Sequence, residues 1–215
     1  MSVEVKICGL GDHGSLAAAI AGGARFVGFV FYPPSPRHVS VERAAELARS
    51  MPAGITRVGV TVDPTDEFLA RLLDKASLDM LQLHGKETPE RVQAIKDRFR
   101  ILAMKAIPVA SEGDPDAAKR YLGVADWLMF DAKPPKEKDG AMPGGNALSF
   151  DWRILRERRW PLPWMLSGGL DPDNLAEAAS IARAEVLDVS SGVEAAPGVK
   201  DPAKIRLFLA RAHAL

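Results

Sequence analysis

The sequence predicts an α/β fold, a compact (β/α)8 TIM barrel, because eight short apolar runs alternate with eight helix-start signals over 215 residues. Eight such units match the strand count of this barrel and the lower limit of its length. An open doubly wound sheet is the alternative, but no Gly-x-Gly-x-x-Gly turn opens the chain. We therefore expect residues 1–215 to form a single barrel domain, with functional residues at the carboxyl ends of its strands.

The apolar runs have the length and composition of buried parallel strands. In the first run, residues 3–8, Val3, Val5 and Ile7 alternate with polar residues, and the run ends at Cys8, the only cysteine of the chain. The other predicted strands cover residues 25–31, 56–62, 80–83, 101–107, 127–131, 164–167 and 185–190.

A recurring Asp-Pro or Thr-Pro pair marks the predicted helix starts. The side-chain oxygen can accept a hydrogen bond from the first turn, and proline there lacks a donor that the helix does not use. These pairs begin at Asp63, Thr88, Asp114, Asp171 and Asp201, and weaker starts fall at Asp12, Ser40 and Asp151. Strand and helix therefore alternate along the whole chain.

Composition limits the classes of function. Lys plus Arg equals Asp plus Glu at 28 each, and this zero net charge gives no support for a nucleic-acid or anionic-membrane partner. A single cysteine cannot form an internal disulfide, so a reducing cytoplasm is expected. No apolar run approaches the length of a membrane span. Monomer and homodimer both remain open.

One long connection interrupts the regular alternation. Residues 132–149 combine a proline pair, the charged run 136–139 and several glycines, and they follow the sixth strand. A loop of this length is a mobile lid over a binding site or a solvated insertion, and the sequence leaves both open.

The carboxyl ends of the strands carry polar groups that are expected to converge on one mouth and form a small-molecule site. These ends are Cys8, Phe31-Tyr32, Asp63, His84, Lys105, Asp131, Ser167 and Ser190. Glycine and serine follow the last two strands, in the motifs Ser167-Gly168-Gly169 and Ser190-Ser191-Gly192. Backbone N–H groups and hydroxyls in such loops bind anions, and barrels hold phosphate at these two positions.

Two candidate groups can transfer protons. Cys8 is either an inert buried residue or a functional thiol, whose ordinary pKa of about 8.5 leaves little thiolate at neutral pH. Asp131 follows an apolar run; burial would raise the pKa of its carboxyl, whereas an ion pair with Lys105 or Lys133 would lower it.

Two further side chains are candidates for binding. Arg37 lies in the proline-rich segment 33–37 and suits bidentate binding of a carboxylate, unless it is a surface arginine. His84 is a base or a histidine paired for structural reasons. No His, Cys and Asp cluster has metal-ligand spacing.

Several motifs resemble those of the phosphoribosylanthranilate isomerase family of tryptophan biosynthesis. They run in order along the chain as Lys6-Ile7-Cys8-Gly9, the segments 28–33 and 35–37, Leu81-Gln82-Leu83-His84-Gly85, Phe130-Asp131-Ala132-Lys133, Phe150-Asp151-Trp152, and the segments 166–170 and 188–194. The resemblance implies an isomerase that converts N-(5-phospho-β-D-ribosyl)anthranilate to 1-(2-carboxyphenylamino)-1-deoxy-D-ribulose 5-phosphate by an Amadori rearrangement, without a cofactor or metal.

The resemblance also implies residue roles. Asp131 is the general acid, Cys8 is the general base, and Arg37 holds the anthranilate carboxylate. His84, Gly168, Gly169, Asp188, Ser190, Ser191 and Gly192 are the other expected substrate-binding residues. The chain departs from the family pattern at Gly11, Thr61 and the loop segment 144–147, where the family often has Thr, Phe and Gly-Gly-Thr-Gly.

Overall fold

Eight parallel strands close into a barrel in the order β1 to β8, which confirms the predicted fold. The structure, a computed structural model, describes residues 3–133 and 148–215, so most of the predicted lid segment lies outside the described residues. The strands are β1 Glu4–Cys8, β2 Phe26–Phe31, β3 Thr56–Thr61, β4 Met80–Leu83, β5 Leu102–Val109, β6 Trp127–Ala132, β7 Trp164–Leu166 and β8 Val186–Val189.

Across residues 3–133 and 148–215, seven helical segments connect consecutive barrel strands, and an eighth follows the last barrel strand. They are α1 His13–Ala21, α2 Val41–Arg49, α3 Asp66–Lys75, α4 Pro89–Phe99, a 3-10 helix Asp114–Tyr121, α5 Arg153–Arg156, α6 Leu175–Ala182 and α7 Pro202–His213. A short antiparallel pair, β9 Glu194–Ala196 and β10 Val199–Lys200, lies between β8 and α7. Among the described residues, no helix is long and apolar enough to cross a membrane.

Four predicted helix caps are present. The side chains of Asp12, Ser40, Thr88 and Asp201 each accept a hydrogen bond from a backbone N–H of the first turn. Each of these bonds satisfies a donor that the helix itself leaves unpaired. The sequence signal therefore marked the beginnings of α1, α2, α4 and α7 correctly.

Other predicted starts are displaced. Helix α3 is capped by Thr65, whose hydroxyl accepts from the Phe68 N–H at 3.2 Å, and not by Asp63. Asp63 instead accepts from the Lys86 N–H at 2.7 Å and ties two loops together. Asp171 accepts from two N–H groups of the turn before α6, and Asp114 from two N–H groups that precede its helix.

Alternation along the strands separates two cores. Residues of one parity pack against the helices, and residues of the other parity fill the barrel axis. The amino end of the axis is closed by an apolar plug that consists of Phe26, Val58, Met80, Met104, Ala106, Met129, Met165 and Val186. One step closer to the carboxyl ends, the buried interior becomes polar, with Lys6, Gln82 and Asp188. In the described part of the chain, the axis is therefore closed at its amino end and polar toward the end where the strands finish.

Candidate active site

A cavity of about 780 Å³, measured with its open mouth, lies at the carboxyl ends of the strands. Nine of the ten predicted site residues line it: Cys8, Arg37, His84, Asp131, Gly168, Gly169, Asp188, Ser190 and Ser191. Part of the wall of the same cavity is apolar and is formed by Val30, Tyr32 and Val60. The barrel thus brings together residues from both ends of the sequence.

Gly192 is the predicted site residue that does not line the cavity. A Cβ atom added there would overlap the carbonyl oxygen of Leu170, in the loop after β7. The glycine is needed because the loops after β7 and β8 pack directly against each other. Its role in substrate binding stays a prediction, and the structure shows that it packs the loop after β8 against the loop after β7.

Lys105 and Asp63 do not reach the mouth, contrary to the prediction from strand ends. Lys105 has the parity of the helix-facing residues, since Ala103 and Ile107 pack in the outer core, between the strands and the helices. Its ammonium group donates to the Leu83 and Gly85 carbonyls at 3.0 and 2.8 Å and to Glu87 at 2.8 Å. Both residues support the loops around His84 and do not line the cavity.

Asp131 is 4% exposed, and its two oxygens have different partners. Oδ1 accepts from the Ala132 N–H at 2.9 Å, and Oδ2 lies 3.1 Å from His84 Nε2. The Gln82 amide nitrogen lies 2.7 Å from His84 Nδ1. With that amide as donor, Nδ1 accepts and Nε2 carries the hydrogen that points to Asp131. The amide of Gln82 therefore orients the His84 ring so that its Nε2 atom points toward Asp131.

Neither of the two lysines considered from the sequence pairs with Asp131. The ammonium group of Lys105 is held by Glu87 and two carbonyls, and that of Lys133 lies 3.6 Å from Asp114. The partner of Asp131 is a histidine, whose ring nitrogens can donate or accept a hydrogen bond. This pairing couples the carboxyl group to a second proton-carrying group.

Cys8 ends β1 and is 7% exposed. Burial raises the pKa of its thiol, and the charges of Lys6 and Lys200 oppose this effect. Beneath it, Lys6 Nζ lies 2.7 Å from Asp188 Oδ1, and Ser167 donates to Asp188 Oδ2 at 2.9 Å. Both oxygens of the Asp188 carboxylate are thus engaged by protein donors at the floor of the cavity.

Arg37 is buried and already holds a carboxylate of the protein. Its Nε and Nη2 atoms lie 2.7 and 2.9 Å from the two oxygens of Glu194. Lys200 donates to the same carboxylate at 2.8 Å and to the Ser190 carbonyl at 2.8 Å. The guanidinium group therefore has a fixed orientation at the cavity wall, and it is not a free surface side chain.

The two predicted phosphate loops lie side by side at the rim. Gly168 and Gly169 have φ values of 93° and 65°, a conformation that favours glycine. A Cβ atom at Gly168 would lie 2.6 Å from the Ala132 backbone nitrogen. Ser190 donates to the Cys8 carbonyl at 3.2 Å, which joins the rim to the end of β1.

Sequence reasoning assigned no role to Lys6, Glu194 or Lys200. Lys6 carried a readable signal, because it stands two residues before Cys8 and shares its strand face. Glu194 carried no such sequence signal, because its partner Arg37 is 157 positions away in the chain.

Fold and cavity together define a (β/α)8-barrel enzyme with a thiol, a histidine–carboxylate pair and two glycine-bearing loops around one small-molecule site. A family model described as N-(5′-phosphoribosyl)anthranilate (PRA) isomerase matches residues 5–211. This chain belongs to the N-(5′-phosphoribosyl)anthranilate isomerase family.

Relatives with this name match along their whole length. A protein named N-(5′-phosphoribosyl)anthranilate isomerase from Paramagnetospirillum magneticum is 56% identical over 213 residues, which cover 99% of this chain and 98% of the relative. One from Paracoccus denitrificans is 55% identical over 214 residues, covering 100% of this chain and 99% of the relative.

Solved structures agree with the sequence relatives. The crystal structure of phosphoribosyl anthranilate isomerase from Thermotoga maritima superimposes with a TM-score of 0.88 at 36% identity, covering 99% of this chain and all of that one. Another isomerase structure, in complex with reduced 1-(o-carboxyphenylamino)-1-deoxyribulose 5-phosphate, has a TM-score of 0.84 at 35% identity, covering 99% of this chain and all of that one.

Proposed function

We propose that this chain converts N-(5-phospho-β-D-ribosyl)anthranilate to 1-(2-carboxyphenylamino)-1-deoxy-D-ribulose 5-phosphate in tryptophan biosynthesis, with Asp131 as general acid and Cys8 as general base. The observation that supports this assignment most is that both groups line one cavity in a member of the isomerase family. Strands β7 and β8 separate the strands that carry them, so the two groups approach a bound sugar from different sides.

The first step is ring opening. Asp131, when protonated, donates its proton to the furanose ring oxygen, the bond from C1′ to that oxygen breaks, and the anthranilate nitrogen forms a double bond to C1′. The Asp131 carboxylate that remains accepts the hydrogen bond of His84, whose Nε2 atom lies 3.1 Å away. His84 thus stabilises the product of proton donation as well as lining the substrate site.

The second step is proton removal from C2′. The Cys8 thiolate accepts this proton, and the electron pair of the C–H bond forms the double bond between C1′ and C2′ while the iminium nitrogen regains its lone pair. The resulting enol becomes the ketone of the product by taking a proton at C1′ and losing the hydroxyl proton at C2′. Only protons pass between protein and substrate, and the oxidation of C2′ is balanced by the reduction of C1′ within the same molecule, so the chemistry requires no cofactor.

The ends of the substrate have separate binding groups. We assign the phosphate to the backbone and hydroxyl donors of Gly168, Gly169, Ser190 and Ser191, at the rim formed by the loops after β7 and β8. The anthranilate carboxylate is assigned to Arg37, which Glu194 holds at the cavity wall. The remaining predicted properties are a small-molecule substrate, a cytoplasmic location and a monomeric or homodimeric state.

The test is a fluorescence assay that follows loss of the anthranilate adduct with purified protein. Asp131→Asn and Cys8→Ser are each expected to reduce turnover by about 10² or more, the usual contribution of a general acid or base. His13→Gln, at an exposed position of α1, is the matched control and should retain turnover. Near-normal turnover in either site variant would reject the role of that residue.

A further inference from the structure

Lys6 is a fully buried lysine inside the barrel, with 0% exposure. It stands two residues before Cys8 on β1, so both side chains point toward the barrel axis. Its Nζ atom lies 2.7 Å from Asp188 Oδ1, and Asp188 is held in turn by the Ser167 hydroxyl at 2.9 Å. The ammonium group therefore has a fixed place below the sulfur.

Gly28 leaves an open space beside the side chains of Lys6 and Cys8. It pairs with Cys8 in the neighbouring strand β2. A Cβ atom added at Gly28 would lie 3.0 Å from Cys8 Sγ and 3.2 Å from Lys6 Nζ. The sulfur and the ammonium nitrogen thus border the same space, the one that a side chain at Gly28 would fill.

The alternative is that Lys6 serves only as the structural partner of Asp188. A buried ion pair adds little net stability, and apolar residues of similar volume commonly replace such pairs without loss. Burial lowers the pKa of Lys6, but the charges of Asp188 and Cys8 outweigh burial and raise it, so the lysine remains a cation. A buried cation close to a thiol stabilises the thiolate form of that thiol.

We propose that Lys6 is a positioning residue for the isomerisation, whose ammonium group, oriented by Asp188, stabilises the Cys8 thiolate. The catalytic meaning of this inference rests on the proposed function, because Cys8 is the proposed base, whereas the proximity of the two side chains does not depend on it. Without this cation, burial alone would favour the thiol, which has no free electron pair basic enough to remove the C2′ proton.

Several other charged groups face the sulfur, so one variant is not sufficient. Asp188 on β8 raises the pKa of Cys8, and Lys200 on β10 lowers it. His84 and Asp131 face the same cavity from β4 and β6. The proposal therefore predicts opposite effects for removal of the cation and removal of the anion next to it.

The experiment measures alkylation of Cys8 by iodoacetamide between pH 6 and 10, followed by intact mass. Cys8 is the only cysteine, so each adduct reports this site alone, and the uncharged reagent is not attracted or repelled by the lysine. Lys6→Met should slow alkylation about tenfold or more at pH values below the midpoint, because a neighbouring opposite charge changes the thiolate fraction by at least that factor.

Two further variants keep the test decisive. Asp188→Asn should speed alkylation, since it removes the negative charge that opposes the thiolate, and Lys75→Met on α3 should leave the rate unchanged. A wild-type rate in Lys6→Met at every pH, or the same direction of change in both site variants, would overturn the proposal. If Lys6→Met does not fold, as judged by circular dichroism, slower or unchanged alkylation of Asp188→Asn overturns it.

Turnover separates this inference from the proposed function. In Lys6→Met, the rise of kcat/KM with pH should move to higher pH, together with the alkylation curve. If alkylation behaves as expected but Cys8→Ser retains normal turnover, the base assignment fails and the electrostatic assignment of Lys6 stands. If Cys8→Ser is inactive and Lys6→Met does not change the alkylation rate, the base assignment stands and the electrostatic assignment of Lys6 fails.

Discussion

The Arg37 guanidinium is bound by Glu194 through two parallel hydrogen bonds, from Nε at 2.7 Å and from Nη2 at 2.9 Å. Two bonds fix both the position and the plane of the group. Lys200 links the same carboxylate to the Ser190 carbonyl, in the loop after β8. The proposed carboxylate and phosphate ends of the site are therefore joined by one hydrogen-bonded chain.

Glu194→Gln should raise KM about tenfold, with a smaller change in kcat. Glutamine has one acceptor oxygen, so Arg37 loses one charge-assisted hydrogen bond, which is worth about 1.5–3 kcal/mol. Steady-state kinetics and the affinity for a carboxylated product analogue measure the effect. Glu46→Gln, at an exposed ion pair, is the control. An unchanged KM would show that the orientation of Arg37 does not depend on Glu194.

The Glu194 carboxylate should make the stability of the protein depend on pH in the acidic range. Burial raises the pKa of Glu194, but the hydrogen bond from Arg37 and the charge of Lys200 outweigh burial and lower it below the ordinary value of 4.5. A depressed folded-state pKa adds stability that is present above the unfolded value and is lost as pH falls through the folded one. The free-energy difference between wild type and Glu194→Gln should therefore decrease below about pH 4.5. A difference that is constant from pH 7 to pH 3 would contradict this.

Thr61→Val should stabilise the protein by about 1 kcal/mol. Thr61 is fully buried between β3 and the helices, and its hydroxyl has no hydrogen-bond partner among residues 3–133 and 148–215. Valine has the same shape and removes a buried polar group that costs about 1–3 kcal/mol when unsatisfied. Denaturant unfolding measures the change.

Thr65→Val is the matched control, and its expected effect on stability has the opposite sign. The Thr65 hydroxyl caps α3 through the Phe68 N–H at 3.2 Å, so its loss should destabilise the protein by about 1 kcal/mol. Destabilisation by both threonine variants would mean that the Thr61 hydroxyl has a favourable role.

Gly168→Ala should weaken phosphate binding and lower stability, because a Cβ atom there would lie 2.6 Å from the Ala132 nitrogen and displace the loop after β7. Gly54→Ala is a close control, since Gly54 has the same φ of 93° but no atom within 4 Å of the added Cβ. Both variants carry the backbone cost of about 1 kcal/mol, and only Gly168→Ala should reduce inhibition by inorganic phosphate. Equal inhibition of both variants would place the phosphate elsewhere.

Much of the fold was predictable because local rules determine it. The apolar runs became strands with ends within two residues of the expected positions, and the caps at Asp12 and Thr88 followed from side-chain chemistry alone. Lys105 was misplaced for two reasons: β5 extends beyond it to Val109, and its side chain has the parity that faces the helices and not the axis. Alternation along a strand depends on register, and a visible run of apolar residues does not fix its last residue.

The residues that line the site were predictable from the sequence, but the hydrogen-bond partners of those residues were not. Glycine and serine after strands 7 and 8 identified the rim, since position in the barrel assigns those loops. The bond from Arg37 to Glu194 and the bond from Lys6 to Asp188 span 157 and 182 positions, so only the closed barrel brings the partners together.

The methionine-rich layer at the amino end of the axis has a kinetic consequence. With Met80, Met104, Met129 and Met165 filling the centre, molecules cannot pass through the barrel. Substrate must therefore enter, and product leave, through the same opening. Accumulated product competes for that opening with every new molecule of substrate.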